Sequence, residues 1–195
     1  MGESLACVCA CGLVIIICQE TRYKIVEISK NKNSSTPALG ILEWFRPGEY
    51  EEVKNAIADL ERLGITHLRT GISWADWYVE GTEEWYDWLF EELSEHVEIL
   101  PCFLYTPPSI GEMEKTSAPP KDLKAYADFI DLMINKYGQY FEWVELWNEP
   151  NNTSEYDFRL DSDWSIFNDF VGGAAEVVQQ HDKKVLLGGM SPIDP

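Results

Sequence analysis

Apolar positions along this chain fall into a repeating order. From residue 39 onward, short apolar runs are followed by longer stretches with apolar residues at helical spacing. Residues 40–45 form the first strand candidate. Pro47-Gly-Glu then opens a helix with Val53, Ile57 and Leu60 on one face, and Gly64 stands where a left-handed cap is wanted. Residues 66–73 read as the second strand. Thr82 is placed to cap a second helix carrying Trp85, Leu89 and Leu93. Residues 97–105 form the third strand, followed by a loop rich in Pro and Ser. The third helix spans 122–137, with Tyr126, Phe129, Ile130, Met133 and Ile134 on its apolar side and Gly138 as its stop. Residues 141–147 are the fourth strand. Asp163 is placed to cap a fourth helix running to about residue 180, and residues 184–190 are the fifth strand.

Strands alternating with helices predict an α/β fold with a parallel sheet. A doubly wound nucleotide binder would carry a Gly-rich turn after its first strand. That position here reads Trp44-Phe-Arg-Pro-Gly48. Polar and aromatic residues instead gather just after strands: SWADW after the second, YTPP after the third and WNEPNN after the fourth. A (β/α)8 barrel builds its active site at those positions, so the pattern favours a partial (β/α)8 TIM barrel with strands 1 to 5 and four helices. Such an arc exposes sheet edges and apolar strand faces. The expectation is therefore a truncated chain, or one closed by a missing C-terminal half or a partner chain.

The polar linker SKNKNSSTPA at 29–38 separates an N-terminal segment, 1–38, from the barrel portion, 39–195. Within the former, 5–18 is an apolar run too short for a comfortable membrane span. It reads as a signal-peptide core, an extra strand or sequence foreign to the domain. The Met1-Gly-Glu-Ser leader carries no Lys or Arg, which favours a cytoplasmic over a secreted location. Cys7, Cys9, Cys11 and Cys18 crowd this segment, without the His or second Cys pair that completes a zinc site. Cys102, alone in an apolar run, reads as a small buried hydrophobe. Asn33-Ser-Ser and Asn151-Asn-Thr match the glycosylation pattern, which recurs by chance.

The net charge is −19, which argues against nucleic acid and anionic membrane surfaces as partners and leaves a neutral substrate compatible. Eight Trp in 195 residues are either core filling or stacking platforms for sugar rings.

The strongest chemical signal lies at 142–152, EWVELWNEPNN. Polar and apolar residues alternate, then Asn148 and Glu149 arrive together at the strand end, where Pro150 stops the ladder. An acid held there can protonate a leaving oxygen, its neighbouring amide can hold a sugar hydroxyl, and an indole can offer stacking and a low-dielectric wall. His67, His96 and His181 are scattered, and Asp157, Asp161 and Asp163 fit a helix-capping loop better than a calcium loop.

LWNEPN at 146–151 closely resembles the acid/base motif of clan A glycoside hydrolases, in which an Asn-Glu pair ends the fourth barrel strand. HLRTGISW at 67–74 is similar to that clan's second strand, whose Arg supports the nucleophile. LYTPP at 104–108 is similar to the third-strand end of β-xylosidase-like members. The resemblance covers roughly 39–195. It implies a retaining glycosidase acting on β-linked sugars such as xylosides, with Glu149 as acid/base and a carbohydrate as the partner. It also implies that Asn148, Arg69, Trp74, Tyr105 and Trp147 line or support the substrate site, and that no cofactor is needed. The clan's nucleophile, a Glu ending the seventh strand, has no counterpart here, and Glu43 is a poor substitute. The chain by itself is thus expected to be inactive. The alternative expectation is a non-catalytic carbohydrate-binding or assembly module on a partial barrel.

Overall fold

A computed structural model describes residues 38–192 together with two three-residue strands, Ala6–Val8 (β1) and Val14–Ile16 (β2). β1 pairs antiparallel with β2, and β2 runs parallel to Leu39–Leu42 (β3). The side chains of the N-terminal cysteines, the Asn33 motif and the 29–37 linker lie outside the described residues.

From β3 onward the elements alternate. Helix α1 is Tyr50–Leu63, β4 is His67–Ser73, α2 is Trp74–Trp77 and α3 is Thr82–Ser94. Then come β5 at Glu98–Leu104, α4 at Lys124–Tyr137, β6 at Trp143–Leu146, α5 at Ser165–Gln180 and β7 at Lys184–Leu187. Strands β3 to β7 pair in sequential order, each parallel to the next. The described residues thus form an α/β protein with five α-helices, in which β3 to β7 are a five-strand parallel run within a seven-stranded sheet. Among the described residues no helix is long and apolar enough to cross a membrane.

Two-residue alternation sorts the sheet into two faces. Leu68, Ile72, Phe103, Val144 and Leu146 are buried; Phe103 meets Phe129 of α4 edge-to-face, at 5.9 Å between ring centroids, marking this as the helix side. The opposite parity carries Arg69, Gly71, Cys102 and Glu145, with Gly71 beside Cys102 and Cys102 beside Glu145 in the register. One face is therefore a hydrocarbon core and the other carries charge.

The helix ends differ in detail from the sequence expectation. Gly64 adopts the left-handed cap at φ 68°. Thr82, expected to cap α3, is its first helical residue; its hydroxyl is buried without a hydrogen bond. At α5, Asp163 binds the Ser165 N–H at 3.2 Å, but Asp161 takes the Ile166 and Phe167 N–H groups at 3.1 and 2.8 Å. Asp161 is thus the principal cap. The SWADW stretch, expected as a loop, forms the extra one-turn helix α2, where the Ser73 hydroxyl accepts from the Asp76 N–H at 3.1 Å.

Two expected ligand contacts are core residues instead. Trp74 has no exposed surface and stacks on Phe129 at 5.7 Å, because α2 folds it onto α4. Trp147 is also fully buried. Alternation would set it beside Glu145, but its φ of 68° turns the indole to the helix side, against Tyr126, Tyr156 and Phe170.

The Trp74 indole N–H has no hydrogen-bond partner. Trp74→Phe, which removes that orphan donor, is expected to cost less than about 1.5 kcal/mol. Trp74→Ala should cost about 3–5 kcal/mol. Urea denaturation of the two variants checks this; equal losses would mean that the N–H, and not ring volume, carries the contribution.

Candidate functional site

The ends of β4, β5 and β6 meet in a polar network. Arg69 sits at the centre, with its side chain 10 % exposed against 7 % for Glu145. Its Nε donates to Glu145 Oε2 at 2.5 Å and its Nη2 to Glu145 Oε1 at 2.8 Å, a two-pronged pair. Nη2 also donates to Asn148 Oδ1 at 2.9 Å and reaches Cys102 Sγ at 3.4 Å. Burial alone would lower the Arg69 pKa, but the Glu145 hydrogen bonds and nearby negative charge outweigh it, and the guanidinium is held more firmly protonated. Cys102 is therefore more than a small hydrophobe. Its buried thiol donates to Trp147 O at 3.2 Å, and burial keeps it protonated.

Beyond Trp147 the chain turns sharply. Glu149 has φ 38°, an uncommon left-handed conformation for a non-glycine residue. Its N–H donates to Gly189 O at 3.0 Å, tying the end of β6 to the segment after β7. Asn151 and Ser191 exchange two hydrogen bonds, at 2.9 and 2.7 Å, and reinforce that tie. Gly188 is required there, since a Cβ would lie 2.2 Å from Trp147 O. The half-buried Glu149 carboxylate accepts from Asn152 Nδ2 at 3.3 Å. Pro150 is buried directly behind it.

Tyr105, at the end of β5, also adopts a left-handed φ of 68°. Its hydroxyl donates to Glu155 Oε2 at 2.9 Å, and the same oxygen accepts from Asn148 Nδ2 at 3.2 Å. Burial and the Glu155 charge raise the Tyr105 pKa, so it stays a phenol. On its other side Tyr105 meets Trp44, at 6.1 Å between ring centroids. Trp44 lies directly on Gly71, where a Cβ would come within 2.2 Å of the indole. Glu43, Trp44, Gly71, Ser73, Asp76 and Tyr105 help line a cleft of about 1080 Å³. Tyr105 joins this cleft to the polar network. Asn148 adjoins the cleft through the Glu155 oxygen that it shares with Tyr105.

Loop 151–163 supplies the remaining parts. Asp157 is buried and binds Arg159 at 2.6 Å and Lys115, while its N–H donates to Ser117 O at 2.7 Å. The loop after β6 is thereby fastened to the loop after β5. Asp157 and Asp161 thus fasten the loop and cap α5, and among the described residues no cluster of side chains is arranged to hold a metal.

The structure brings together Arg69, Asn148, Glu149 and Tyr105, and removes Trp74 and Trp147 to the core. It adds Glu145 and Glu155. The first was readable as an acid sharing strand parity with the rest of the network. The second, in a loop, carried no local signal.

No family model matches this chain, and no curated protein matches it. The reading of the site therefore rests on its geometry and on the motif resemblance.

Two outcomes test this network. Arg69→Leu leaves Glu145 buried without its counter-ion and should cost about 3–5 kcal/mol. Adding Glu145→Leu should recover most of that loss, as read from chemical denaturation of both variants. Asp157 supplies a pH test. The Arg159 hydrogen bond, with Lys115 helping against the burial cost, holds its carboxyl well below the usual range. Its contribution, about 1.5–3 kcal/mol, is full above the unfolded value of about 3.9. It fades as pH falls from there toward the lower folded value. Wild type and Asp157→Asn should differ in stability at pH 6, and the gap should narrow steadily as pH falls below about 4; a gap independent of pH would assign the effect to packing.

Proposed function

We propose that this chain is the N-terminal part of a (β/α)8 glycoside hydrolase barrel of the retaining type, acting on β-linked sugars such as xylosides. The observation that carries the reading is the placement of Asn148 and Glu149. They follow the fourth strand of the run β3 to β7, whose members are parallel and sequentially ordered, with Arg69 of its second strand bound to the Asn148 amide. The sequential order supports a barrel over a doubly wound sheet, whose strand order reverses at its binding crevice. In this reading Glu149 protonates the leaving oxygen and later takes a proton from water. Its backbone tie to Gly189 and its contact with Asn152 hold the carboxyl in place for both steps. Asn148 binds the hydroxyl beside the reacting carbon. Arg69, engaged by Glu145, orients Asn148 from behind.

Retention needs a second carboxyl about 5–5.5 Å from the first. Glu43, a carboxylate in the cleft wall, stands just after the first strand of the parallel run, where the clan pattern places no nucleophile. The 195-residue chain tested by itself is expected to bind xylobiose weakly. It should hydrolyse aryl β-xylosides no faster than its Glu149→Gln variant. Asn148→Ala should weaken xylobiose binding about tenfold, as read by calorimetry. Clear Glu149-dependent turnover would show that a second carboxyl is in place after all. Absence of any binding would sink the carbohydrate reading.

A second reading, a non-catalytic carbohydrate-binding or assembly module, is favoured by one observation. Leu187 on the terminal strand β7 and Met190 just beyond it are 64 % and 63 % exposed, an apolar edge suited to a partner. Concentration-dependent sedimentation abolished by Leu187→Lys would support that reading.

A further inference from the structure

Glu155 stands outside the motif resemblance, yet both its halves are engaged by the strand ends. Its carboxylate Oε2 accepts from Tyr105 Oη at 2.9 Å and from Asn148 Nδ2 at 3.2 Å. Its main-chain carbonyl accepts from Trp147 Nε1 at 3.2 Å, and its N–H donates to Asn152 O at 2.9 Å. Both donors to the carboxylate are neutral groups. We propose that Glu155 is a positioning residue that sets the hydrogen-bond polarity of the Asn148–Tyr105 pair, and so selects ligands presenting free, neighbouring sugar hydroxyls. This rests on the reading of the Asn148–Glu149 strand end as a carbohydrate site.

An ionised carboxylate only accepts, and a guanidinium only donates. Asn148 lies between one of each, with Oδ1 on Arg69 and Nδ2 on Glu155. Flipping the amide would set its oxygen against the carboxylate and its NH2 against the guanidinium, so one orientation is enforced from both sides. One Nδ2 proton remains for a ligand oxygen. Tyr105 spends its only proton on Glu155, so toward a ligand its oxygen can only accept. A ligand satisfying both must offer an acceptor to Asn148 and a donor to Tyr105. Adjacent free hydroxyls on a sugar ring meet that demand; ethers do not.

The test uses the 195-residue chain and its Glu155→Gln and Glu155→Ala variants. The first readout is the side-chain amide proton pair of Asn148 in a ¹H–¹⁵N spectrum, assigned by its loss in Asn148→Asp. The second is the dissociation constant for xylobiose. In wild type the Asn148 proton bound to Glu155 should stand apart from its partner. The separation should shrink in Glu155→Gln and collapse in Glu155→Ala. Xylobiose affinity should fall about threefold and about tenfold in turn. An unchanged proton pair in both variants overturns the positioning role. Wild type that does not bind xylobiose overturns the carbohydrate reading and the ligand half of the proposal, while the amide spectrum still judges Glu155. If Glu155→Ala fails to fold, the near-isosteric Glu155→Gln decides: an unshifted pair refutes the role, and a reduced separation supports it.

Discussion

A buried guanidinium on the sheet face away from the helices constrains everything around it. Arg69 is tolerable there only if each outward-pointing N–H meets an acceptor and its charge meets a counter-charge. Glu145 supplies the charge from two strands away, and Asn148 and Cys102 share Nη2 with it. These partners belong to β5, β6 and the turn after β6, so the ion pair specifies register as well as stability. A one-residue slip of any of those strands would turn a partner to the hydrocarbon side and strand a charge.

The same network explains why the strand ends are bent. Tyr105, Trp147 and Glu149 all hold positive φ, each a conformation that costs an L residue of order 1–3 kcal/mol. The returns are specific. Turning Trp147 places its indole among Tyr126, Tyr156 and Phe170, while its carbonyl stays on Cys102 Sγ. The bend then leaves Asn148 facing Arg69 and Glu155. Glu149 is held by the backbone of the neighbouring strand end, where Gly188 permits the close approach. The acid thus sits on a rigid strand end, braced by loop 151–163 through Asp157 and Asp161.

Much of this was legible in the residues. Alternation and helical spacing located five strands and four of the five helices, because burial of one face imposes those periods on any sequence that folds this way. Boundaries shifted by a few residues, since a strand candidate reads by hydrophobicity and a strand by its ladder. Asn148 and Glu149 stood out because a polar pair ahead of a proline interrupts an apolar run. Arg69 entered only through the likeness of HLRTGISW to the clan's second strand, and Glu145, on the alternating fourth strand, was identified only when the fold paired it with Arg69.

The sequence by itself determined the order of elements, the two faces of each strand and the chemical types gathered at their ends. These are properties of periodicity, which is local. Only the tertiary structure decided which indoles serve the core. Trp74 and Trp147 occupy positions where parity and loop placement favoured a ligand, yet one short helix and one left-handed residue redirect them. Only the fold brought Glu155 to Asn148 and Tyr105, since a loop residue carries no period from which its partners can be read. Side-chain direction at a strand end depends on a single backbone rotation, and long-range packing selects that rotation.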